Sequence, residues 1–364
     1  MIEYWFEHAF AKRTSGVPLA EYQLYAPEYV ELGECCSGSL EVMRAEPNPL
    51  RMTKVHVVGL VRVFQSGEYG ANPFASESRR RQQEFGYSGH RDPADQLASI
   101  VSLLFGVPVV AGTRTRQSYI DGVVRPLSET KDPSFFPYLP LPDFGSQGET
   151  NLLTILHDRD AEKHVTLLRA ATRFKQALWL SVEAPDLSWL MLISAAEIAA
   201  SFAMKDRRSK ALFSAHYPSF QGRVSDDVLT ELAQTFGGIA KSTDRFLRFL
   251  DLYDPGPPIK RPKPTIDDAT VDWSKLPELL RKVYDLRSRY YHQGIPFPPP
   301  LMEPDSIFLQ MYPESDGTLP ERPMVLEHNE TSGSWTSSDF PMNLHIFAFI
   351  VRGALLKWFL TGPK

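Results

Sequence analysis

The sequence predicts an α+β protein in which a strand-rich first domain precedes an all-α second domain. Before residue 150, short segments alternate between polar and apolar residues or are rich in β-branched residues. From about residue 158, apolar residues recur at helical spacing instead. Residues 133–148 contain four prolines and two glycines, which is typical of a linker. We therefore expect one domain at residues 1–150 and a helical bundle at residues 155–364.

The first domain should contain several strands and one helix. Ser39–Met43 alternates, and Val55–Phe64 is rich in β-branched residues, so both are predicted strands. Tyr119–Val124 contains Asp-Gly, which tolerates the positive φ angles of a tight hairpin turn. Pro93–Phe105 places Leu97, Ile100, Val101 and Leu104 on one helical face.

The second domain should be built from helices that enclose one nearly apolar helix, Leu187–Phe202. In the penultimate helix, Pro277 fits the first turn, where a missing N–H costs little, and Gly294 ends the helix. The predicted helices are His164–Leu180, Leu187–Phe202, Asp226–Phe236, Ser242–Leu252, Ser274–His292 and Asn343–Leu360.

Composition narrows the class of partners and cofactors. The net charge of −5 over 364 residues excludes a surface that is basic overall, so any nucleic-acid contact must use a local patch. The two cysteines, Cys35 and Cys36, are adjacent and form neither a CxxC motif nor a disulfide framework. We expect no cofactor, no bound metal and a reducing cytoplasmic location.

We expect no membrane association. Residues 1–13 carry acidic residues and lack the basic start and apolar centre of a signal peptide. Residues 344–360 are strongly apolar but are interrupted by Arg352 and Lys357. A core helix therefore explains this segment better than a membrane-spanning one.

The most informative segment is the end of the penultimate helix, where Arg287 precedes His292 by five positions. A histidine can move a proton on or off a ribose hydroxyl, and an arginine can hold a phosphate and its developing charge. The helix dipole favours a protonated His292 in the last turn. Ser288, four residues before His292, is positioned to orient its imidazole.

The neighbouring residues refine this hypothesis. Tyr291 shares a helical stripe with Arg287, and Asp285 can pair with Arg289, leaving Arg287 for a phosphate. Arg287 and His292 lie roughly 140° apart around an ideal helix. They converge if the helix frays at its end or if two copies of the chain meet, which suggests a composite site in a homodimer.

Spacing alone does not choose this pair. Arg159 and His164 have the same spacing, and Arg322 and His328 are one position wider, although the latter pair lies in a proline-containing loop. The structural alternative is that Arg287 and Arg289 form surface ion pairs and that His292 caps the helix.

Three segments give residues 155–361 a resemblance to the HEPN superfamily, and within it to the ApeA-like group. Residues 189–198 are similar to the apolar helix with an embedded acid, Glu197, found near the start of such domains. Residues 286–294 match the late R-x4-6-H motif and its following glycine. Residues 344–359 are similar to the closing helix.

The resemblance implies a helical bundle and metal-independent RNA cleavage, as in toxin and anti-phage systems. Arg287 and His292 would be the catalytic pair, with Glu197 near them, Ser288 and Tyr291 beside them, and Arg289 on the RNA. It also implies RNA as substrate, a homodimer through the bundle, and an antitoxin or defence-system partner. Some members of the superfamily are inactive scaffolds, and Glu197 can equally be a structural partner of an arginine, including Arg287.

Two basic segments are further candidates for RNA contact. Arg79, Arg80 and Arg81 precede several aromatic residues, a combination that suits single-stranded nucleic acid as well as a solvated loop. Residues 260–263 contain three basic side chains in a proline-rich loop and leave the same two interpretations open. A third hypothesis assigns the main function to ligand or nucleic-acid binding by the first domain, with the bundle only dimerising it.

Overall fold

The computed structural model shows an α+β protein. It describes residues 20–26, 35–37, 40–44, 56–63, 92–118, 124–126, 141–142, 161–204, 222–236, 242–262, 270–302, 318–323 and 339–361. The chain divides into two compact units: Met1–Pro140 with Gly145–Leu180, and Leu141–Phe144 with Ser181–Lys364. The predicted linker, residues 133–148, lies almost entirely outside the described residues.

The first unit contains an antiparallel sheet whose six described strands are ordered β2-β3-β4-β1-β5-β6. The strands are β1 Ala20–Ala26, β2 Cys35–Ser37, β3 Leu40–Arg44, β4 His56–Val63, β5 Val110–Ser118 and β6 Val124–Pro126. The two strands predicted from the sequence are confirmed as β3 and β4. The predicted Asp-Gly turn between β5 and β6 lies outside the described residues.

The centre of the sheet has one position that requires glycine. A Cβ built on Gly112 in β5 would clash with the Tyr25 ring in β1. Tyr25 is almost completely buried, and its hydroxyl donates a 2.5 Å hydrogen bond to the Gln23 side chain. A larger residue at position 112 would therefore have to displace the buried Tyr25 ring or the backbone of β5.

Two helices complete the described part of the first unit: α1, Asp92–Phe105, and α2, Ala161–Leu180. They pack against each other. Lys175 in α2 donates to the Asp95 carbonyl in α1 at 3.2 Å. The predicted boundary near residue 150 assigned α2 to the second domain, whereas its packing places it with the first. Helical periodicity reveals an apolar face but not the element that covers it.

The second unit is helical in its described residues. Its α-helices are α3 Pro185–Ala203, α4 Asp226–Phe236, α5 Ser242–Leu252, α6 Leu276–Gln293 and α7 Leu344–Thr361. One-turn 3₁₀ helices span Trp273–Lys275 and Pro299–Leu301. These bounds confirm the predicted helices to within a few residues, and those of α4 and α5 are identical to the prediction.

Aromatic side chains from α3, α5 and α7 form the core of this unit. Trp189 of α3 stacks on Phe347 of α7 with ring centroids 5.1 Å apart, and its indole N–H donates to the Leu301 carbonyl. Trp358 of α7 meets Phe249 of α5 edge-on at 6.0 Å. All four rings are fully buried. Burial and aromatic pairing together fix α7 against α3 and α5.

Two described helices, α3 and α7, are long and apolar enough to cross a membrane on length and composition alone. The core helix of a globular unit meets the same criterion. In α7, 83% of the apolar window is buried within the fold, as is 50% in α3. The burial of α7 is consistent with the predicted core helix.

Both ends of α6 are defined by local chemistry. Asp272 accepts a 3.1 Å hydrogen bond from the Ser274 N–H and so caps the 3₁₀ turn that leads into the helix. Pro277 occupies the first turn, as predicted. Gly294 ends the helix with a left-handed φ of 67°, and its N–H donates to the Tyr290 carbonyl at 3.2 Å. The helix is therefore regular through Gln293.

A buried carboxylate joins three loop segments of the second unit. The Glu321 side chain is 1% exposed and accepts two hydrogen bonds from Arg261, at 2.7 and 2.5 Å. It also accepts the Val271 N–H at 2.6 Å. This ion pair raises the pKa of Arg261. Arg261, one of the basic residues of segment 260–263, therefore makes a structural contact.

We predict that Glu321→Gln lowers the free energy of unfolding by about 2 kcal/mol, because a buried, charge-assisted hydrogen-bond pair is lost. Urea denaturation monitored by circular dichroism measures the change. Lys275→Gln is the matched control, since its ion pair with Asp272 is exposed and contributes little. Equal denaturation midpoints for both variants would contradict a stabilising role for Glu321.

Candidate functional site

The site is built where α6 crosses α3. Arg287 of α6 places its Nη2 3.2 Å from Oε2 of Glu197 in α3. The two side chains are 24% and 21% exposed, so the pair is largely but not completely removed from water. The structural pairing that the sequence suggested for Glu197 is therefore present. It holds the guanidinium in a defined position on α6.

Two tyrosine rings lie close to the Arg287 guanidinium. Its carbon lies 5.2 Å from the ring centroid of Tyr284 and 5.1 Å from that of Tyr291. Tyr284 is one turn before Arg287 and Tyr291 is one turn after it, so both contacts follow from helical spacing. The prediction that Tyr291 lies on the same helical stripe as Arg287 is confirmed, and the two side chains form a cation–π contact.

Tyr284 also binds the other oxygen of the carboxylate. Its hydroxyl donates to Oε1 of Glu197 at 2.7 Å and lies 2.6 Å from the Ser242 hydroxyl at the start of α5. Burial raises the pKa of Tyr284 above its usual value, and the adjacent Glu197 adds to that rise, while Ser242 and Arg287 oppose it. Tyr284 and Ser242 were missed from the sequence. The spacing of three between Tyr284 and Arg287 was the available signal.

His292 lies in the last turn of α6 and is exposed. Among the described residues it makes no hydrogen bond. The helix is regular through Gln293, so Arg287 and His292 remain roughly 140° apart around its axis. A single chain thus presents the guanidinium toward α3 and the imidazole toward solvent, and fraying at the helix end does not bring them together.

Two predicted contacts of this segment are wrong. Ser288 makes no hydrogen bond to His292 in the described part of the chain. Asp285 and Arg289 are both exposed and form no ion pair. Arg287 is paired with a carboxylate, while Arg289 has no ionic partner among the described residues.

The end of α6 lies beside the start of α3. Tyr290 donates a 3.0 Å hydrogen bond to Asp186, and this bond raises the pKa of Tyr290. Large apolar side chains near these ends remain exposed to solvent. They are Val182 at 41%, Leu187 at 39%, Tyr291 at 57% and Ile295 at 46%. Exposed apolar side chains grouped beside a candidate site are typical of a contact surface.

The other sequence candidates do not form a site in the described residues. Arg79, Arg80 and Arg81 lie outside them, as do Arg159 and His328. His164 is buried in α2 at 2% exposure. No group of three or more histidine, cysteine, aspartate or glutamate side chains that could hold a metal occurs in the described part of the chain.

Comparisons of the chain with protein-family models, with curated proteins and with solved structures gave no match.

We predict that Tyr284→Phe changes the alkaline stability of the protein. The raised pKa of Tyr284 means that the unfolded chain loses this proton near pH 10 while the folded chain still holds it, so stability falls as pH rises above that value. Tyr284→Phe removes that contribution. The variant should have a lower free energy of unfolding than the wild type at pH 8, and this difference should be smaller near pH 11. Urea denaturation at both pH values measures it. A deficit that stays constant or widens would contradict the raised pKa.

Proposed function

We propose that the protein is a metal-independent RNA endonuclease of the HEPN type, acting as a toxin or anti-phage effector. The observation that carries this proposal is the Arg287 guanidinium, fixed by Glu197 and two tyrosines, five residues before the exposed His292. Preorganised cations are the groups that stabilise a phosphorane-like transition state. The proposal is also supported by the features that carry the resemblance to the HEPN superfamily. These are the R-x4-6-H motif in residues 286–294 and the apolar helices α3 and α7.

The reaction follows from the chemistry of the two side chains. A neutral His292 takes the proton of a ribose 2′-hydroxyl, whose oxygen forms a bond to the adjacent phosphorus. Arg287 stabilises the charge on the pentacovalent phosphorus. The bond between phosphorus and the 5′-oxygen then breaks, and a protonated histidine returns a proton to that oxygen. The products carry a 2′,3′-cyclic phosphate and a 5′-hydroxyl.

The proposed active form is a homodimer. Because Arg287 and His292 face different sides of one α6, a complete site requires the arginine of one protomer and the histidine of its partner. The exposed apolar residues at the ends of α3 and α6 favour a contact between copies close to His292. A two-fold axis near this surface generates two equivalent sites.

The alternative is a catalytically inactive scaffold of the same fold, regulated through the first domain. The Glu197–Arg287 ion pair favours it, since a carboxylate already neutralises the charge that a phosphate needs. In that case the hydrogen bonds among Glu197, Tyr284 and Ser242 only stabilise the packing of α3, α5 and α6.

We expect the purified protein to cleave RNA in excess EDTA and to leave cyclic-phosphate ends, as identified by mass spectrometry of the products. His292→Gln and Arg287→Ala should each lower the rate by about a hundredfold or more. Arg281→Ala is the matched control, since it removes an exposed arginine from the same helix. An inactive wild type, or activity that EDTA abolishes, would reject the proposed reaction in favour of the scaffold or of a metal enzyme.

Mixing the two inactive variants tests the composite site. A heterodimer of Arg287→Ala and His292→Gln has one site with both native side chains and one with neither. An equal mixture that exchanges subunits should therefore regain about a quarter of the wild-type sites, because half of the dimers are mixed. Mixtures that stay as inactive as each variant alone would show that the two residues do not meet across an interface.

A further inference from the structure

The carboxylate of Glu197 divides its two oxygens between two residues of α6. Oε1 accepts a 2.7 Å hydrogen bond from the Tyr284 hydroxyl, and Oε2 accepts one of 3.2 Å from Nη2 of Arg287. Charged hydrogen bonds are usually shorter, about 2.7–2.9 Å, and arginine often binds a carboxylate through two parallel N–H groups. The pair between Glu197 and Arg287 is therefore a single, long contact, and the tyrosine makes the shorter one.

This single contact leaves most of the Arg287 guanidinium unused. A guanidinium carries five N–H donors, and within the described part of the chain Arg287 donates one hydrogen bond, to Glu197. The arginine side chain is 24% exposed, so an anion that reached the other donors would meet a cation largely removed from water. Electrostatic attraction is stronger in such surroundings than in bulk water.

Tyr284 restrains the carboxylate that would otherwise take a second donor. Rotation of a glutamate carboxylate about its last torsion is soft, so a Glu197 with a free Oε1 would turn toward the bidentate arrangement. Tyr284 lies one turn before Arg287 on the same helix, and its ring centroid is 5.2 Å from the guanidinium carbon. Its hydroxyl therefore engages Oε1 at a fixed place beside the arginine.

A second hydroxyl strengthens this restraint. Tyr284 has one hydroxyl proton, and the carboxylate can only accept, so the Ser242 hydroxyl 2.6 Å away donates to the tyrosine oxygen. Hydrogen bonds in a chain polarise and strengthen one another. Ser242, at the start of α5, thus makes Tyr284 a better donor to Glu197.

We propose that Tyr284 is a positioning residue for Arg287 that acts through Glu197. By holding one carboxylate oxygen, its hydroxyl limits the ion pair to one hydrogen bond and keeps the other guanidinium donors for the phosphate of the scissile bond. This role rests on the proposed RNA cleavage. Tyr284 itself needs no contact with the RNA.

Tyr284→Phe tests this inference, because it removes the hydroxyl and keeps the ring beside Arg287. Glu197 should then bind Arg287 through both oxygens, and kcat/KM for RNA cleavage should fall about tenfold, the loss of one charged hydrogen bond to the phosphate. Tyr290→Phe is the matched control, since it removes the hydrogen bond from another α6 tyrosine to a carboxylate of α3, that of Asp186. It should leave kcat/KM nearly unchanged.

Rescue separates a positioning role from a packing role. A glutamine amide has one acceptor oxygen and cannot pair with two N–H groups of an arginine. Tyr284→Phe should therefore cost little further activity in the Glu197→Gln background, whereas a hydroxyl that only supports packing would cost the same in both backgrounds. Ser242→Ala is a milder second variant and should lower kcat/KM in the same direction by less. Thermal unfolding of each variant verifies that it is folded.

The crystal structure of the Tyr284→Phe variant gives a readout that needs no turnover. A second hydrogen bond between Glu197 and Arg287 supports the inference. A single hydrogen bond overturns it, as does an equal loss of activity in the two backgrounds.

The positioning role and the nuclease fail separately in these experiments. If the wild type cleaves no RNA and the variant forms the second hydrogen bond, the nuclease proposal is removed and Tyr284 still sets how many Arg287 donors are free. If the wild type cleaves RNA and the variant keeps a single hydrogen bond, the positioning role alone is removed.

Discussion

The ion pair between Glu197 and Arg287 is the contact on which the candidate site depends. It joins α3 to α6 through charges that are only about one-fifth exposed, so its strength lies between that of a surface pair and a buried one. Removing either partner would leave the other charge partly desolvated. Tyr284 extends the contact to α5 through Ser242, so the hydrogen-bonded network includes side chains from three helices.

This ion pair need not conflict with phosphate binding. A guanidinium has five N–H donors, and Glu197 engages Arg287 through Nη2. The Tyr284 and Tyr291 rings, 5.2 and 5.1 Å from the guanidinium carbon, accept no hydrogen bond from it among the described contacts. Part of the donor edge therefore stays available to an anion. A carboxylate that anchors one nitrogen while the rest faces a phosphate is a structural partner and a positioning residue at once.

The sequence predicted the bounds of individual helices better than it predicted which elements and side chains lie next to each other. The bounds of α4, α5 and α6 followed from apolar spacing, from Pro277 and from Gly294, all of which act locally. Assigning α2 to the second domain and pairing Asp285 with Arg289 required knowledge of what lies opposite a helical face. Arg287 pairs with a carboxylate of α3 and Arg289 lies exposed without an ionic partner in the described part of the chain, and local spacing treats these two cations alike. Long-range packing alone separates them.

The intact end of α6 limits how an arginine and a histidine can act together. Gly294 fixes the helix through its last turn, so unwinding it to bring Arg287 toward His292 would break the capping hydrogen bonds. A partner protomer can supply Arg287 to His292 without unwinding the helix, which is the arrangement that the proposed homodimer provides.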